Sequence, residues 1–258
     1  MKSLKILLVN ERGCFDRGII ALAKVLGTTH RVNIVAPLRK KERVGGAITV
    51  VRPLKTDQYF ALKKVKVFSV DGSPCDCIGL ALDKILKSKP DLIISGIDPY
   101  HNRGETTLSS GITQAAILGT INGVRSMAIS ASIKDRYDER EYMTIARTVS
   151  KMLPALYPQI KPDVTLNINF PRTVTPKNVK WVPLTMDMVQ TTYTQEVNPF
   201  GRTFYWMDDP SQDYPLSILE QRGDIYWLKK GYITITPLKY DLTSPDGLEV
   251  LARSSISV

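Results

Sequence analysis

The alternation of apolar and polar positions predicts a sheet covered by helices. Short apolar runs, typical of strands buried on both faces, alternate with segments whose apolar residues recur every three or four positions, as on one side of a helix. We predict strands at 4–10, 31–36, 48–54, 64–70, 91–97, 124–132 and 164–170, and helices at 18–27, 74–89, 109–123 and 139–157. This order of elements indicates an α/β fold, a mainly parallel sheet in the middle of three layers.

The pattern changes after residue 171. Residues 172–227 are rich in Pro, Tyr, Trp, Asp and Gln with little periodicity, and a β-hairpin with its turn at Lys230-Gly231 is predicted over 226–240. A long irregular arm carrying a hairpin is poor material for a core of its own. We therefore predict one domain, an α/β core at 1–171 with a C-terminal arm and hairpin at 172–258 packed on the core or on a neighbouring subunit.

The arm also predicts self-association. It carries five aromatic residues within a short stretch without an evident core to cover them: Tyr193, Phe200, Phe204, Tyr205 and Trp206. Because a contiguous apolar surface of this kind is typical of a protein interface, we expect a homo-oligomer, a dimer or a tetramer.

Composition is that of a globular chain without membrane spans. Of 258 residues, 43% are apolar and 23% are charged, and no apolar run approaches the length of about 18 residues that a spanning helix needs. The apolar run near the N-terminus is short and lacks a small-residue cleavage site, so it indicates a first strand rather than a signal peptide. We expect a cytoplasmic protein.

The net charge of +10, from 35 basic and 25 acidic residues, favours an anionic partner. The one dense basic cluster, RKKER at 39–43, comes without any RNP, KH or helix-turn-helix signature and indicates a solvated loop. A phosphorylated small molecule is therefore the expected partner, and nucleic acid is the weaker alternative.

The three cysteines do not predict a disulfide framework or a zinc site. Cys14, Cys75 and Cys77 are an odd number, and no second Cys or His pair accompanies Cys75 and Cys77. We expect three reduced, buried or half-buried thiols and no bound zinc.

Several kinds of catalytic site are excluded by the motifs. Only two histidines exist, His30 and His101, which is too few for a three-His metal site. The chain has no G-x-S-x-G elbow, no P-loop and no G-x-G-x-x-G after its first strand.

Oxygen-bearing side chains collect where the predicted strands end. They are Asn10, Glu11, Glu42, Asp98, Asn102, Glu105 and Ser110. Carboxylate and amide oxygens suit hard cations, and a helix starting at Ser110-Gly111 offers N–H groups to an anion. A cation beside an anion-binding helix end is typical of phosphoester hydrolysis.

Several motifs, in order, carry a family resemblance. They are N-E-R-G at 10–13, with Gly18 after it, A-P-L-R at 36–39, GSPCDC at 72–77, PDLIISGID at 90–98, Asn102 with Gly104, Ser110-Gly111, LNINFP at 166–171 and GYITITPLKYDLT at 231–243. With these the chain resembles the stationary-phase survival protein E (SurE) family, metal-dependent phosphatases of nucleoside monophosphates and related esters. The resemblance extends along nearly the whole chain and implies a Rossmann-like fold.

The resemblance also implies roles for individual residues. Catalytic positions correspond to Glu11, Arg12 and Asn102, and substrate-binding positions to Asn10, Gly13, Arg39, Ser110 and Gly111. It implies a divalent cation, magnesium or manganese, if the protein is active, and a nucleoside monophosphate as substrate.

The metal ligands of the family are not retained. Its two aspartates, serine and asparagine correspond here to Glu11, Arg12, Glu42 and Asp98, and Arg12 is the main departure because a guanidinium cannot ligate a cation. In one interpretation Glu11, Glu42 and Asp98 bind a cation and Arg12 binds the substrate phosphate. In the other, Arg12 takes the place of the metal, the carboxylates pair with it, and the protein is a non-catalytic relative that binds an anionic ligand or a partner. Both remain open, and the second is favoured because paired acids would stabilise a buried arginine.

Overall fold

The structure is a computed structural model that describes residues 1–62, 65–172, 178–186, 192–207 and 221–253. Its strands are β1 (Lys5–Val9), β2 (Arg31–Pro37), β3 (Thr56–Leu62), β4 (Val65–Val70), β5 (Leu92–Asp98), β6 (Arg125–Ala131), β7 (Thr165–Phe170), β8 (Val179–Trp181), β9 (Tyr193–Val197), β10 (Thr203–Met207) and β11 (Ile233–Leu238). Its α-helices are α1 (Arg17–Leu26), α2 (Pro74–Leu80), α3 (Thr106–Ser109), α4 (Gly111–Ile121), α5 (Glu139–Leu156), α6 (Asp224–Lys229) and α7 (Pro245–Ala252).

The described strands form a nine-stranded, mostly parallel sheet in the order β3-β4-β2-β1-β5-β6-β7-β11-β8. Only β3 with β4 and β11 with β7 pair antiparallel within it, and β9 with β10 forms a separate antiparallel ribbon. The predicted α/β, Rossmann-like fold is confirmed.

Side chains of β1 show why three layers form. Ile6 and Leu8 belong to a core on one face of the sheet, whereas Leu7 and Val9 belong to a core on the other. Helices α1 and α5 contribute to the first core and α2 and α4 to the second. Because successive residues of a strand face opposite sides, an apolar run needs helices over both faces.

The order of the strands changes direction at β1. This strand pairs in parallel with β2 on one side and with β5 on the other. Ligands of open parallel sheets bind in the crevice beyond the strand ends at such a point. The first turn of α1 packs closely on β5 there, since a Cβ on Gly18 would lie 2.3 Å from the carbonyl oxygen of Ile97.

One predicted strand is wrong, and one predicted helix ends earlier than predicted. The β-branched run at 48–54 is irregular, and Val50 and Val51 are exposed, because the loop is tied to α2 instead of to a strand: the backbone N of Thr49 donates to Asp76 Oδ1 at 2.9 Å. The helix predicted over 74–89 ends at Ile85, because α2 covers Pro74–Leu80 and continues as a single π-helical turn over Ala81–Ile85.

The predicted hairpin over 226–240 is wrong as well. Its first half is helix α6, where Ile225 and Leu228 are buried three positions apart, and its second half is β11 in the main sheet. The ribbon of β9 and β10 is the hairpin that the arm carries. Strands β8 and β11 lie in the main sheet, and the arm segments 173–177, 187–191, 208–220 and 254–258 lie outside the described residues.

Cys14, Cys75 and Cys77 are free thiols and all three are buried, as predicted. Burial raises the pKa of both Cys14 and Cys75 to about 11. Within the described ranges, no helix combines the length and the apolar character needed to cross a membrane.

Candidate functional site

The turn after β1 is held by the side chain of Asn10. Its Nδ2 donates to the carbonyl oxygen of Gly13 at 3.0 Å, and its Oδ1 accepts from the backbone N of Gly13 at 3.0 Å. The φ of Gly13 is +113°, a backbone region that favours glycine. The Asn10 amide thus closes the turn that presents Glu11 and Arg12.

Glu11 is buried and lies between two loops. Its Oε2 accepts from the backbone N of Gly111, the first residue of α4, at 3.1 Å and from the backbone N of Arg43 at 3.3 Å. Burial, and then the neighbouring Asp98 carboxylate, raise the pKa of Glu11 well above its ordinary value. The two N–H groups and Arg12 act in the opposite direction and do not overcome the burial.

Arg12 forms ion pairs with two acids. Its Nη1 contacts Glu42 Oε1, and its Nε lies 3.3 Å from Asp16 Oδ2. The Arg12 side chain is only 11% exposed. Lys40 Nζ lies 2.9 Å from the other Glu42 oxygen, so two cations neutralise that carboxylate. This is the contact with a site carboxylate that the second interpretation predicts.

Asp98, at the end of β5, is buried and hydrogen-bonded through both oxygens. Oδ2 accepts from Asn102 Nδ2 at 3.0 Å, and Oδ1 accepts from the backbone N of Tyr100 at 3.3 Å. Burial raises the pKa of Asp98 above its ordinary value despite these donors and Arg12. Two buried acids with raised pKa values, Glu11 and Asp98, therefore stand together at the ends of β1 and β5.

Polar residues inside β6 and β7 hold Asn102 in place. Its backbone N donates to Ser130 Oγ at 3.1 Å and to Asn169 Oδ1 at 3.0 Å. Its carbonyl oxygen accepts from Asn167 Nδ2 at 2.7 Å and Asn169 Nδ2 at 2.9 Å. These residues are not among the predicted site residues. The sequence does indicate two of them, since Asn167 and Asn169 occupy alternate positions in the apolar strand LNINF. Buried amides need hydrogen-bond partners, so such residues are expected to hold a neighbouring loop.

His101 borders the same region. Its Nε2 lies 2.6 Å from the carbonyl oxygen of Phe170, so the nitrogen carries the proton and donates it. Burial, and then the Arg103 guanidinium, lower the pKa of His101 to about 4, and the ring is neutral at physiological pH. The neutral ring therefore adds no charge to the site.

A cavity of about 110 Å³ lies among these groups, and we call it the inner cavity. It is lined by Glu11, Glu42, Arg43, Asp98, Tyr100, His101, Asn102, Thr106, Ser109 and Ser110. Three of the four loops behind it follow β1, β2 and β5, and the fourth precedes α4. The structure thus brings together Glu11, Glu42, Asp98, Asn102 and Ser110 from the predicted set.

The other predicted site residues lie in different places relative to the inner cavity. Ser110 is the N-cap of α4, with its Oγ accepting from the backbone N of Thr113 at 3.1 Å, and the N–H of Gly111 is taken by Glu11. Arg39 is exposed in the loop after β2, and Glu105 is half-buried at the start of α3. Asp16, absent from the predicted set, partners Arg12, and its signal is the i,i+4 spacing of opposite charges before α1.

The donor set does not fit a resident divalent cation. Across the part of the chain that the structure describes, no three His, Cys, Asp or Glu side chains are arranged to hold a metal ion. Glu42 is engaged by Arg12 and Lys40, and the oxygens of Asp98 and one oxygen of Glu11 accept protein hydrogen bonds. A guanidinium beside these acids would repel a cation.

Comparison with known proteins gives consistent matches. The family model described as "Survival protein SurE" matches residues 6–194. The chain is 32% identical over 259 residues to "5'-nucleotidase SurE" of Thermoanaerobacter sp. (strain X514), covering 99% of this chain and 100% of that protein. It is 36% identical over 248 residues to "5'-nucleotidase SurE" of Carboxydothermus hydrogenoformans, covering 93% and 92%.

A solved structure agrees. The SurE protein from Aquifex aeolicus superimposes with a TM-score of 0.76 at 30% sequence identity, over 96% of this chain and 99% of that one. The two chains therefore share their fold over nearly their whole lengths. The chain belongs to the SurE family.

Proposed function

We propose that this protein binds a nucleoside monophosphate or related phosphomonoester in the inner cavity and hydrolyses it slowly without a divalent cation. The relatives named 5'-nucleotidase support the substrate class. The observation that carries the proposal is the ion pair of Arg12 with Glu42, because the family resemblance assigns both positions to ligands of the metal.

The charge balance of the inner cavity supports phosphate binding. Arg12 and Lys40 neutralise Glu42, and burial raises the pKa of Glu11 so that this acid favours its neutral form. A neutral carboxylic acid donates a hydrogen bond, which suits a phosphate oxygen. Arg43 lines the same cavity.

The same groups define what chemistry the chain itself supplies. Asp98, fixed by Asn102 and the N–H of Tyr100, is an acceptor for a proton from an attacking water. Protonated Glu11 is a donor for the ester oxygen that leaves. General acid and base groups of this kind contribute about 10²–10⁴-fold each, far less than a full catalytic site, so slow turnover is expected.

A phosphate-release assay tests this function. Adenosine 5'-monophosphate should give slow phosphate release in the presence of a chelator, and added manganese should leave the rate unchanged. Glu11→Gln keeps the size and the acceptor of the side chain but cannot donate a proton, so we expect release to fall about 100-fold while nucleotide affinity changes little. Brisk release that requires manganese would contradict the proposal.

The second candidate is a non-catalytic relative that binds an anionic ligand. One observation favours it: Glu11 accepts the N–H of Gly111, which the sequence predicts as a donor to the phosphate. A phosphoryl group that is transferred would then lack this donor, whereas other groups of the cavity could still bind an anion. Calorimetry separates the two candidates: nucleotide binding without any phosphate release selects the second, and binding with release selects the first.

The arm supports a homo-oligomer. In the described ribbon of β9 and β10, Tyr193, Phe200, Tyr205 and Trp206 are all more than 60% exposed. We propose that the ribbon packs on a second copy of the chain, giving a dimer or a tetramer, because such a ribbon is not stable alone.

Light scattering after size exclusion tests the assembly. The wild type should be larger than a monomer at micromolar concentration, and Phe204→Ser with Trp206→Ser should produce monomers. Phe60→Ser, at an aromatic that is 83% exposed in β3, is the matched control and should leave the assembly intact. A monomeric wild type would refute the proposal.

A further inference from the structure

A second, larger cavity adjoins the inner cavity. Its volume is about 550 Å³, and it shares Tyr100 and His101 with the inner cavity of about 110 Å³. We call it the basic cleft because five cationic side chains line it: Arg103, Lys134, Arg136, Arg172 and Lys229. A cavity of this volume is typical of a small-molecule site.

The cations come from successive strand ends. Arg103 follows β5, Lys134 and Arg136 follow β6, Arg172 follows β7, and Lys229 ends α6. The loops beyond β5, β6 and β7 therefore converge, as expected for the carboxyl edge of a parallel sheet.

The described walls of the basic cleft carry positive charge. Among the described residues, no Asp or Glu lines it. Arg136 is positioned by Tyr100, since its Nη1 donates to Tyr100 Oη at 2.5 Å and its guanidinium lies 5.4 Å from the ring centroid. That contact is to a neutral phenol, which does not neutralise the charge of Arg136.

Electrostatic coupling links the basic cleft to the inner cavity. Tyr100 and His101 belong to the walls of both cavities. After burial, the Arg103 guanidinium in the basic cleft is the next cause that lowers the pKa of His101. A cation of the basic cleft thus acts on a group of the inner cavity.

A nucleoside 5'-monophosphate uses the phosphate-binding groups of only one of these two cavities. Its one phosphate would enter the inner cavity, and its uncharged sugar and base would face the five cations. A ligand with a second anionic group would instead form charge-assisted hydrogen bonds with them, which are among the stronger polar contacts in proteins.

We propose that the basic cleft binds a second phosphate group of the substrate. The preferred ligand is then a small phosphomonoester that carries two phosphate groups on separate positions of its skeleton. This inference rests on the proposed function, because the inner cavity must take the phosphate that is hydrolysed.

Comparison of two matched ligands by calorimetry tests the inference. The full-length protein, held in a chelator, is titrated with adenosine 5'-monophosphate and with adenosine 3',5'-bisphosphate. We expect the bisphosphate to bind about tenfold more tightly or better, and the ratio to shrink as salt is added. In Lys134→Gln with Arg172→Gln the ratio should fall towards one.

A matched control removes the same charge elsewhere. Arg31→Gln with Lys87→Gln changes two exposed cations near the amino ends of β2 and β5, at the opposite edge of the sheet, and should keep the wild-type ratio. Circular dichroism confirms that each variant folds. A ratio that falls equally in both double variants would mean that only net charge matters and would overturn the inference.

The remaining outcomes are distinguishable. Equal affinities of the wild type for the two ligands overturn the second phosphate site but leave the proposed function standing. If neither ligand binds, both the second phosphate site and the proposed function are overturned. A single-stranded oligonucleotide with a 5'-phosphate that binds more tightly than the bisphosphate would overturn the assignment to a small molecule.

Discussion

The guanidinium of Arg12 and the carboxylate of Glu42, thirty positions apart in the chain, meet in an ion pair between the loops after β1 and β2. Asp16 contacts the same guanidinium, and Lys40 contacts the same carboxylate. The pair is mostly shielded from water, with 11% of the Arg12 and 28% of the Glu42 side chain exposed. It therefore stabilises the junction of two loops that border the site.

Arg12→Ala should lower the free energy of unfolding by about 1–3 kcal/mol, because Glu42 and Asp16 lose a shared partner in a half-buried setting. Urea denaturation measures the change. Arg52→Ala is the control, since Arg52 pairs with Asp71 at a surface where 43% and 46% of the two side chains are exposed. A loss of less than about 1 kcal/mol is expected there. Equal losses in both variants would show that Arg12 is an ordinary surface cation.

The geometry around Glu11 makes Gly111 intolerant of a side chain. A Cβ at this position would lie 2.7 Å from Glu11 Oε2 and 3.2 Å from Pro74 Cγ. Gly111→Ala should therefore displace Glu11, destabilise the protein and weaken ligand binding. Thermal unfolding and calorimetry measure the two effects.

Gly79→Ala supplies the matched control for Gly111→Ala. Gly79 lies in helix α2, and a Cβ added to it would have no atom within 4 Å, so alanine should stabilise the helix by up to about 1 kcal/mol. A Gly111→Ala protein as stable as the wild type and with unchanged ligand affinity would show that Glu11 is not held as described.

His101 should make the protein less stable in acid. Its pKa is lowered from 6.5 to about 4 by burial and Arg103, so between these pH values the unfolded chain binds a proton that the folded chain does not. The stability that the neutral His101 ring contributes is fully present above pH 6.5 and is lost as the pH falls towards 4. His101→Gln keeps a donor for the Phe170 carbonyl and does not titrate, so its stability should fall less over this range.

Urea midpoints measured across that pH range give the comparison for His101. His30→Gln is the control, because burial also lowers the pKa of His30 but this residue is only half-buried and lies away from the site. Stability curves of the wild type and His101→Gln that run parallel would contradict the neutral, buried ring.

The layers of the fold could be predicted from the sequence because burial decides them locally. Ile6, Leu7, Leu8 and Val9 form a run that only a strand with helices on both faces can cover. The run at 48–54 has a similar pattern but is not a strand, since its β-branched residues are not buried and the loop is held by the Thr49 contact with Asp76. Intrinsic preference for strand is weak without a neighbour to pair with.

The site could be predicted from the sequence only in part, because its residues come from loops that meet through the tertiary fold. The ends of β1 and β5 had to meet once the sheet was parallel, which placed Glu11, Asp98 and Asn102 together. The partner of Arg12 was not fixed by spacing, because loops after different strands approach one another only in three dimensions. Asp16 and Asn169, which hold Arg12 and Asn102, show how much of the site depends on residues outside it.

The last prediction concerns the residues that separate this chain from the ligand set implied for its family. Glu11→Asp, Arg12→Asp, Glu42→Ser and Asp98→Asn together remove the guanidinium and leave two aspartates, a serine and an asparagine, oxygen donors suited to manganese or magnesium. The quadruple variant should bind manganese in calorimetry and gain manganese-dependent phosphate release. The matched control is the triple variant that retains Arg12, which should do neither, because the guanidinium repels a cation from the same place. A wild type that already binds manganese stoichiometrically, or a triple variant that matches the quadruple one, would show that Arg12 does not stand in the position of the metal.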